Sequence, residues 1–387
     1  MCAAAHAGRT QKLYNNWGFG ADKKVRSPQQ RHRGSTGKQP AIPSCIKLRT
    51  LKGFKKLNPM VKEHVKQHFI PQCYLRNFSE NKKSLFVYSK THKNKGYEQS
   101  ISKTSYKDYF YTIPERYLNS SISSNIDTNF IETKIFANNI EINYSYLLKK
   151  ILTSASSCDA LDENKEVLDT NERDLFAALI AIQYLRMPNI RDKYWGAHQK
   201  AQKERSEIVT AYEEGYKDID CSEAIAMKRD DDYAPIMHSE LFLDEELIAG
   251  IQDQLIKKIW KYRIATNGTV FTSDNPILLK PHLNNQSRFY EGFAMRGVEV
   301  IFPISKNIIL TIWDEDVFSD YLMENNKFNI LTDAELRQYN CYQYIWANDE
   351  VYSSKNDFKL IEHLKTANGD INKEMLMERA TIKINGK

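Results

Sequence analysis

Gln183 and Arg186 lie three apart in the stretch Asp174 to Met187, DLFAALIAIQYLRM, and so share one face of the helix that this stretch predicts. Leu175, Phe176, Leu179, Ile180, Ile182, Tyr184 and Leu185 surround that helix on all sides, which places it inside the fold. A buried guanidinium needs a carboxylate or several acceptors, because an unpaired charge inside a protein costs several kcal/mol. Two carboxylates offer themselves from elsewhere in the chain: Glu132 in an earlier helix and Asp274 in TSDNP. Glu132 as buried counter-ion is the simpler expectation. The alternative is that Asp274 lies beside Arg186 or a cation, with Ser273 and Asn275 donating to a substrate oxygen. His68, ahead of a short helix begun by Pro71, can act as general acid or base near neutral pH, with Gln72 in the first turn of that helix.

Each of these residues also has a structural reading. Ser, Asp and Asn in TSDNP can close a turn on nearby backbone amides, and a lone histidine more often packs under a helix than reacts. His64 and His68 with Glu63 are a weak metal proposal with no third ligand adjacent, so no metal ligands are assigned. Asp127 followed by Glu132-x-Lys134 has the residue order of metal-dependent nucleases, but it falls in a helical rather than a strand pattern. A divalent ion held by Asp274 and Glu132 stays open. No Gly-rich phosphate loop, G-x-S-x-G elbow or HExxH occurs.

These residues must be positioned by elements legible from periodicity. Tyr74, Leu75 and Phe78 repeat at helical spacing, Ser84 to Ser89 alternates as a strand, and Tyr106 to Thr112 predicts another. Thr128 to Leu152 carries the strongest amphipathic repeat, and Asp169 or Asn171 caps the central helix, which Met187-Pro188 ends or kinks. A charged helix follows from Asn189 to about Tyr216, and another runs from Leu243 to Trp260. Between 262 and 313 the pattern becomes short β-rich runs, and Ala334 to Asn348 returns to helix. The fold expected is α+β, a largely helical core with a small β-sheet subdomain, and residues 60–387 form one main domain.

The chain of 387 residues has a net charge of +6. Residues 1–59 carry thirteen Lys or Arg against one acid, Asp22, so this head is +12 and the remainder −6. A body of that balance has no electrostatic reason to grip duplex nucleic acid. The head lacks apolar periodicity and reads as disordered; an upstream extension before Met60 is preferred to a nucleic-acid-binding tail or a targeting peptide. Six scattered cysteines without a CxxC pair argue against a zinc ribbon or disulfide framework and favour a reducing cytoplasm. No apolar run is long enough for a membrane span.

QHFIPQCYLRNF at 67–78, IAIQYLRMP at 180–188 and VFTSDNPI at 270–277, with the later IFPIS and NCYQYIWA, resemble the bacterial domain-of-unknown-function 4238 family from about Lys66 to Asp357. The resemblance implies a functional centre at His68, Gln72, Glu132, Gln183, Arg186, Ser273, Asp274 and Asn275 but brings no established reaction. Cys73 stands where the family usually has an aromatic residue, a difference of packing. The leading expectation is a hydrolase acting on nucleic acid or nucleotides in a defence or toxin context. His68 would transfer protons, Arg186 stabilise an anion, and Asp274 and Glu132 orient them. The second is a non-catalytic binding or regulatory module whose polar residues form a buried structural network.

Overall fold

A computed structural model describes residues 66–92, 95–114, 131–200, 233–283 and 292–368. The head, the segment around Asp127, His64 with Glu63, and the C-terminal strand expected at ATIKI all lie outside the described residues.

The chain enters as β1 (Lys66–His68) and turns through Pro71 into a one-turn helix, α1 (Gln72–Leu75). β2 (Ser84–Ser89), β3 (Gly96–Ser100) and β4 (Tyr106–Asp108) follow. The strand expected over 106–112 stops at Asp108, because Tyr109 takes a positive φ of 54° and turns Phe110 and Tyr111 into the core. Ile131–Ile140 is wound as a π-helix and continues as α2 (Glu141–Ala155), so the amphipathic repeat is one long helix of two pitches. The buried helix α3 (Thr170–Leu185) begins at Asp169, whose side chain accepts from the Glu172 amide while Glu172 returns the bond. This reciprocal cap satisfies two amides that the first turn leaves open. Residues 188–200 resume helix after the break at Pro188.

The helix expected over 243–260 is instead α4 (Ala234–Leu243) and α5 (Glu245–Ile256), separated where Asp244 caps the second of them. Trp260 belongs to β5 (Ile259–Ala265). β6 (Thr272–Ser273), β7 (Leu278–Pro281), β8 (Val298–Ser305) and β9 (Ile308–Trp313) complete the β-rich part. Beyond it come β10 (Lys327–Leu331), α6 (Asp333–Trp346), β11 (Glu350–Ser353) and α7 (Lys359–Asn368). The architecture is α+β, as the sequence predicts. Among the described residues no helix is long and apolar enough to cross a membrane.

Three sheets organise the site. β1 pairs antiparallel with β4, setting His68 opposite Tyr106. A four-stranded sheet runs β3-β2-β11-β6, and a five-stranded sheet runs β10-β5-β9-β8-β7 with only the β10–β5 pair parallel. β8 and β9 are buried along their whole lengths, which explains why VEVIFPIS and IILTIW read as nearly continuous apolar runs rather than alternations. Pro303, which cannot donate to a ladder, sits where the β8–β9 register slips. α3 joins the sheet to the N-terminal elements: the Phe176 ring lies 6.0 Å from Trp260 and 6.3 Å from Phe302. Tyr74 of α1 stacks on Phe302 at 5.4 Å, and its hydroxyl donates to the Pro303 carbonyl at 2.8 Å.

Candidate functional site

Arg186 follows the last turn of α3 and is fully buried. Its Nη2 donates to the His68 carbonyl, its Nε reaches the Tyr111 hydroxyl at 3.4 Å, and its guanidinium carbon lies 3.8 Å from the centroid of the Phe136 ring. One turn earlier, Gln183 donates to the Phe69 carbonyl at 3.0 Å. The two side chains expected to share a face therefore hold consecutive carbonyls of the strand end that leads into α1.

The fourth contact of the guanidinium corrects the expected ion pair. Nη1 makes no hydrogen bond and lies 3.8 Å from Glu141 Oε1, so the nearest carboxylate is Glu141 and not Glu132. Glu132 acts on Arg186 through its charge. Both acids reach the same guanidinium because of the π-wound segment. Nine residues make two and a half turns of an α-helix, which would set them on opposite faces. The wider i→i+5 turn brings the same separation close to two whole turns.

Glu132 is the unusual group. Burial pushes its carboxyl up to about 7, with the Arg186 charge opposing, the Glu141 charge adding, and the His68 backbone amide opposing again. Its Oε2 is buried without a hydrogen-bond partner. His68 is displaced the other way, down to about 4, by burial first and the Arg186 charge second, while the Ser102 carbonyl that accepts from its ring resists. Its Nε2 lies 3.4 Å from Gln72 Nε2. With Gln72 donating, the lone pair of the neutral ring is on Nε2. Its ring lies 5.8 Å from that of Tyr106. Between about pH 4 and 7 the carboxyl keeps its proton while the imidazole is the free base, the reverse of their order in water.

Asp274 stands apart from Arg186. Its Oδ1 accepts the Asn348 amide at 2.7 Å, and its Oδ2 accepts the amides of Asp349 at 2.8 Å and Glu350 at 3.1 Å. The side chain closes the turn from α6 into β11. Burial raises its pKa, against the pull of those three amides. Ser273 donates to Gln343 Oε1 at 2.8 Å, and Asn275 donates to the Trp346 carbonyl at 3.1 Å. TSDNP is therefore a bracket that fastens β6 to both ends of the α6–β11 connection, tied back to the helical 188–200 stretch by Asn189 donating to Asn275 at 3.4 Å. With both Asp274 oxygens occupied, Asp274 and Glu132 do not form the joint metal cage left open above. Among the described residues no cluster of three or more His, Cys, Asp or Glu is placed to hold a metal ion.

Asp274 lines a cleft that His68, Glu132 and Arg186 do not, although its Tyr106 wall packs beside the His68 ring. This cleft of about 330 Å³ has Phe69 and Tyr106 on the His68 side and Asp274, Asp349 and Glu350 on the other. Four residues of this neighbourhood carry no signal in the sequence reading: Glu141, Tyr111, Phe136 and His238. His238 of α4 donates from Nε2 to the Leu185 carbonyl at 2.9 Å, and its ring lies among Phe110, Tyr111 and Phe242. Burial drives it down to about 3, and its Nδ1 has no partner. Only Glu141 could have been found beforehand, by testing the helix for a π as well as an α repeat.

Residues 66–357 match the model of a family described as protein of unknown function (DUF4238). No curated protein and no solved structure matches the chain.

Proposed function

The chain belongs to this DUF4238 family, and on that premise we propose that it is an acid–base enzyme of hydrolase type acting on nucleic acid or nucleotides. One observation carries the reading: a carboxyl raised to about 7 and an imidazole lowered to about 4 are gathered around one buried guanidinium. Opposed shifts of two neighbouring titratable groups suit them to paired acid and base catalysis. In this reading Glu132 donates the proton to a leaving oxygen, and His68 Nε2 takes one from a water that displaces its long 3.4 Å contact with Gln72 Nε2. Arg186, fully buried, stabilises the negative charge that develops through its field rather than by contact. Gln183 positions the His68–Phe69 backbone and is not itself a reacting group.

The second reading, a non-catalytic binding or regulatory module, is favoured by the bracket, since Ser273, Asp274 and Asn275 spend their polar atoms within the fold. The readings separate on purified full chain incubated with RNA, DNA, nucleotides and NAD, with and without Mg²⁺ or Mn²⁺. The enzyme reading expects turnover of one of these, reduced on the order of 10²–10⁴-fold in Glu132→Gln. Absence of turnover across the whole set would leave the binding module.

A further inference from the structure

The cleft between β4 and the start of β11 carries charges of both signs. Exposed Lys103 and Lys107, half-buried Asp349 and Glu350, and Phe69 are among the residues that line it. Glu350 Oε2 accepts from the Tyr352 hydroxyl at 2.7 Å, which fixes the carboxylate on its strand. Asp349 is held by Ser89 at 3.0 Å and by the Thr91 amide at 2.9 Å. About 330 Å³ is at the small end of ligand pockets and is suited to a nucleotide.

We infer that this cleft binds a guanosine phosphate, either free or as one residue of a nucleic acid. The inference rests on the function proposed above and names the substrate class of that site. Lys103 and Lys107 supply point charges for the phosphate. A carboxylate only accepts hydrogen bonds, so the base that satisfies it best is the one with two adjacent N–H donors. Guanine has that pair at N1 and N2. Adenine and cytosine each offer a single amino group, and uracil a single imino group. Phe69 gives the base an aromatic wall. Burial and the charges of Asp274 and Asp349 raise the Glu350 carboxyl, against the hydroxyls of Tyr352 and Tyr97 that donate to it. Tyr106 lines the cleft and its ring lies 5.8 Å from that of His68, so the cleft and the Arg186 centre share a wall.

Calorimetric titration of the full chain with 5′-GMP, AMP, CMP and UMP, and with short single-stranded RNA holding one guanosine or none, tests the assignment. GMP should bind roughly tenfold or more tightly than the other three, the discrimination expected of one bidentate contact. Glu350→Gln, which turns an amide donor toward the base, should bring the four together. The double variant Lys103→Ala/Lys107→Ala, on exposed side chains that leave folding alone, should weaken all four and keep their ratio. Preference for GMP alone identifies the free nucleotide as the source; preference only within RNA identifies the polymer. Equal binding of the four nucleotides and of both RNAs, or a guanine preference that survives Glu350→Gln, overturns the assignment. Turnover of RNA or nucleotides without guanine preference overturns it and leaves the catalytic reading standing, whereas guanine preference without turnover ends the catalytic reading and leaves the binding site.

Discussion

Glu132 titrates in the folded chain far from where it does in the unfolded one, and its sign can be followed. Its pKa is raised from 4.5 to about 7, so the fold prefers the protonated form. That preference contributes fully below the unfolded value and is lost as pH rises through the folded one. Glu132→Gln imitates the neutral carboxyl. At pH 8 it should stabilise the protein by roughly 2–3 kcal/mol and at pH 4 change little, read as the difference in urea midpoints. The same substitution should reduce turnover on the order of 10²–10⁴-fold, a combination that a structural ion pair does not give. His68 has the opposite sign: lowered to about 4, it contributes stability at neutral pH that is lost as pH falls from about 6.5 through 4. If Glu132 must carry its proton and His68 must lack one, kcat/KM should be bell-shaped, with an acid limb near 4 and an alkaline limb near 7. A profile flat across neutral pH would remove these two residues from the reaction.

TSDNP is decided at the scale of elements. A catalytic Asp274 would lose activity in Asp274→Ala at little cost in melting temperature. The three amides that Asp274 accepts reverse the expectation, since removing a buried ionised acceptor leaves those donors unsatisfied. Asp274→Ala should cost about 3 kcal/mol, and Asp274→Asn, which keeps one oxygen, distinctly less. Activity per folded molecule, measured below the onset of unfolding, should fall far less in both than in Glu132→Gln. The α3 cap gives a smaller case. Asp169→Ala removes the acceptor for the Glu172 amide and should lower stability by about 1 kcal/mol without affecting the pH profile.

Across the molecule, one apolar cluster runs from Phe69 and Tyr74 through α3 to both larger sheets, ending at Tyr352. The β-rich part expected as a subdomain shares its core with the helices, through Phe176 against Trp260 and Tyr74 against Phe302. Urea unfolding followed by tryptophan fluorescence and by far-UV circular dichroism should therefore give coincident transitions. Separate midpoints would show that the sheet unfolds apart from the helices.

The sequence alone determined what depends on neighbours along the chain. Apolar residues on every side of DLFAALIAIQYL required a buried helix, the i, i+3 spacing put Gln183 and Arg186 on one face, Asp169 marked the helix start, and continuous β-branched runs gave β8 and β9. These follow from backbone periods of 3.6 and 2 residues, which any single segment displays. Tertiary structure decided which groups meet. Arg186 takes the His68 carbonyl from a strand more than a hundred residues earlier, and no local pattern encodes that contact. Glu141 replaced Glu132 as nearest carboxylate because the helix between them is wound wider than the α period assumes. Asp274 went to backbone amides rather than to a cation because the α6–β11 turn brings three unsatisfied donors to it first, and buried donors without acceptors cost more than a distant charge returns.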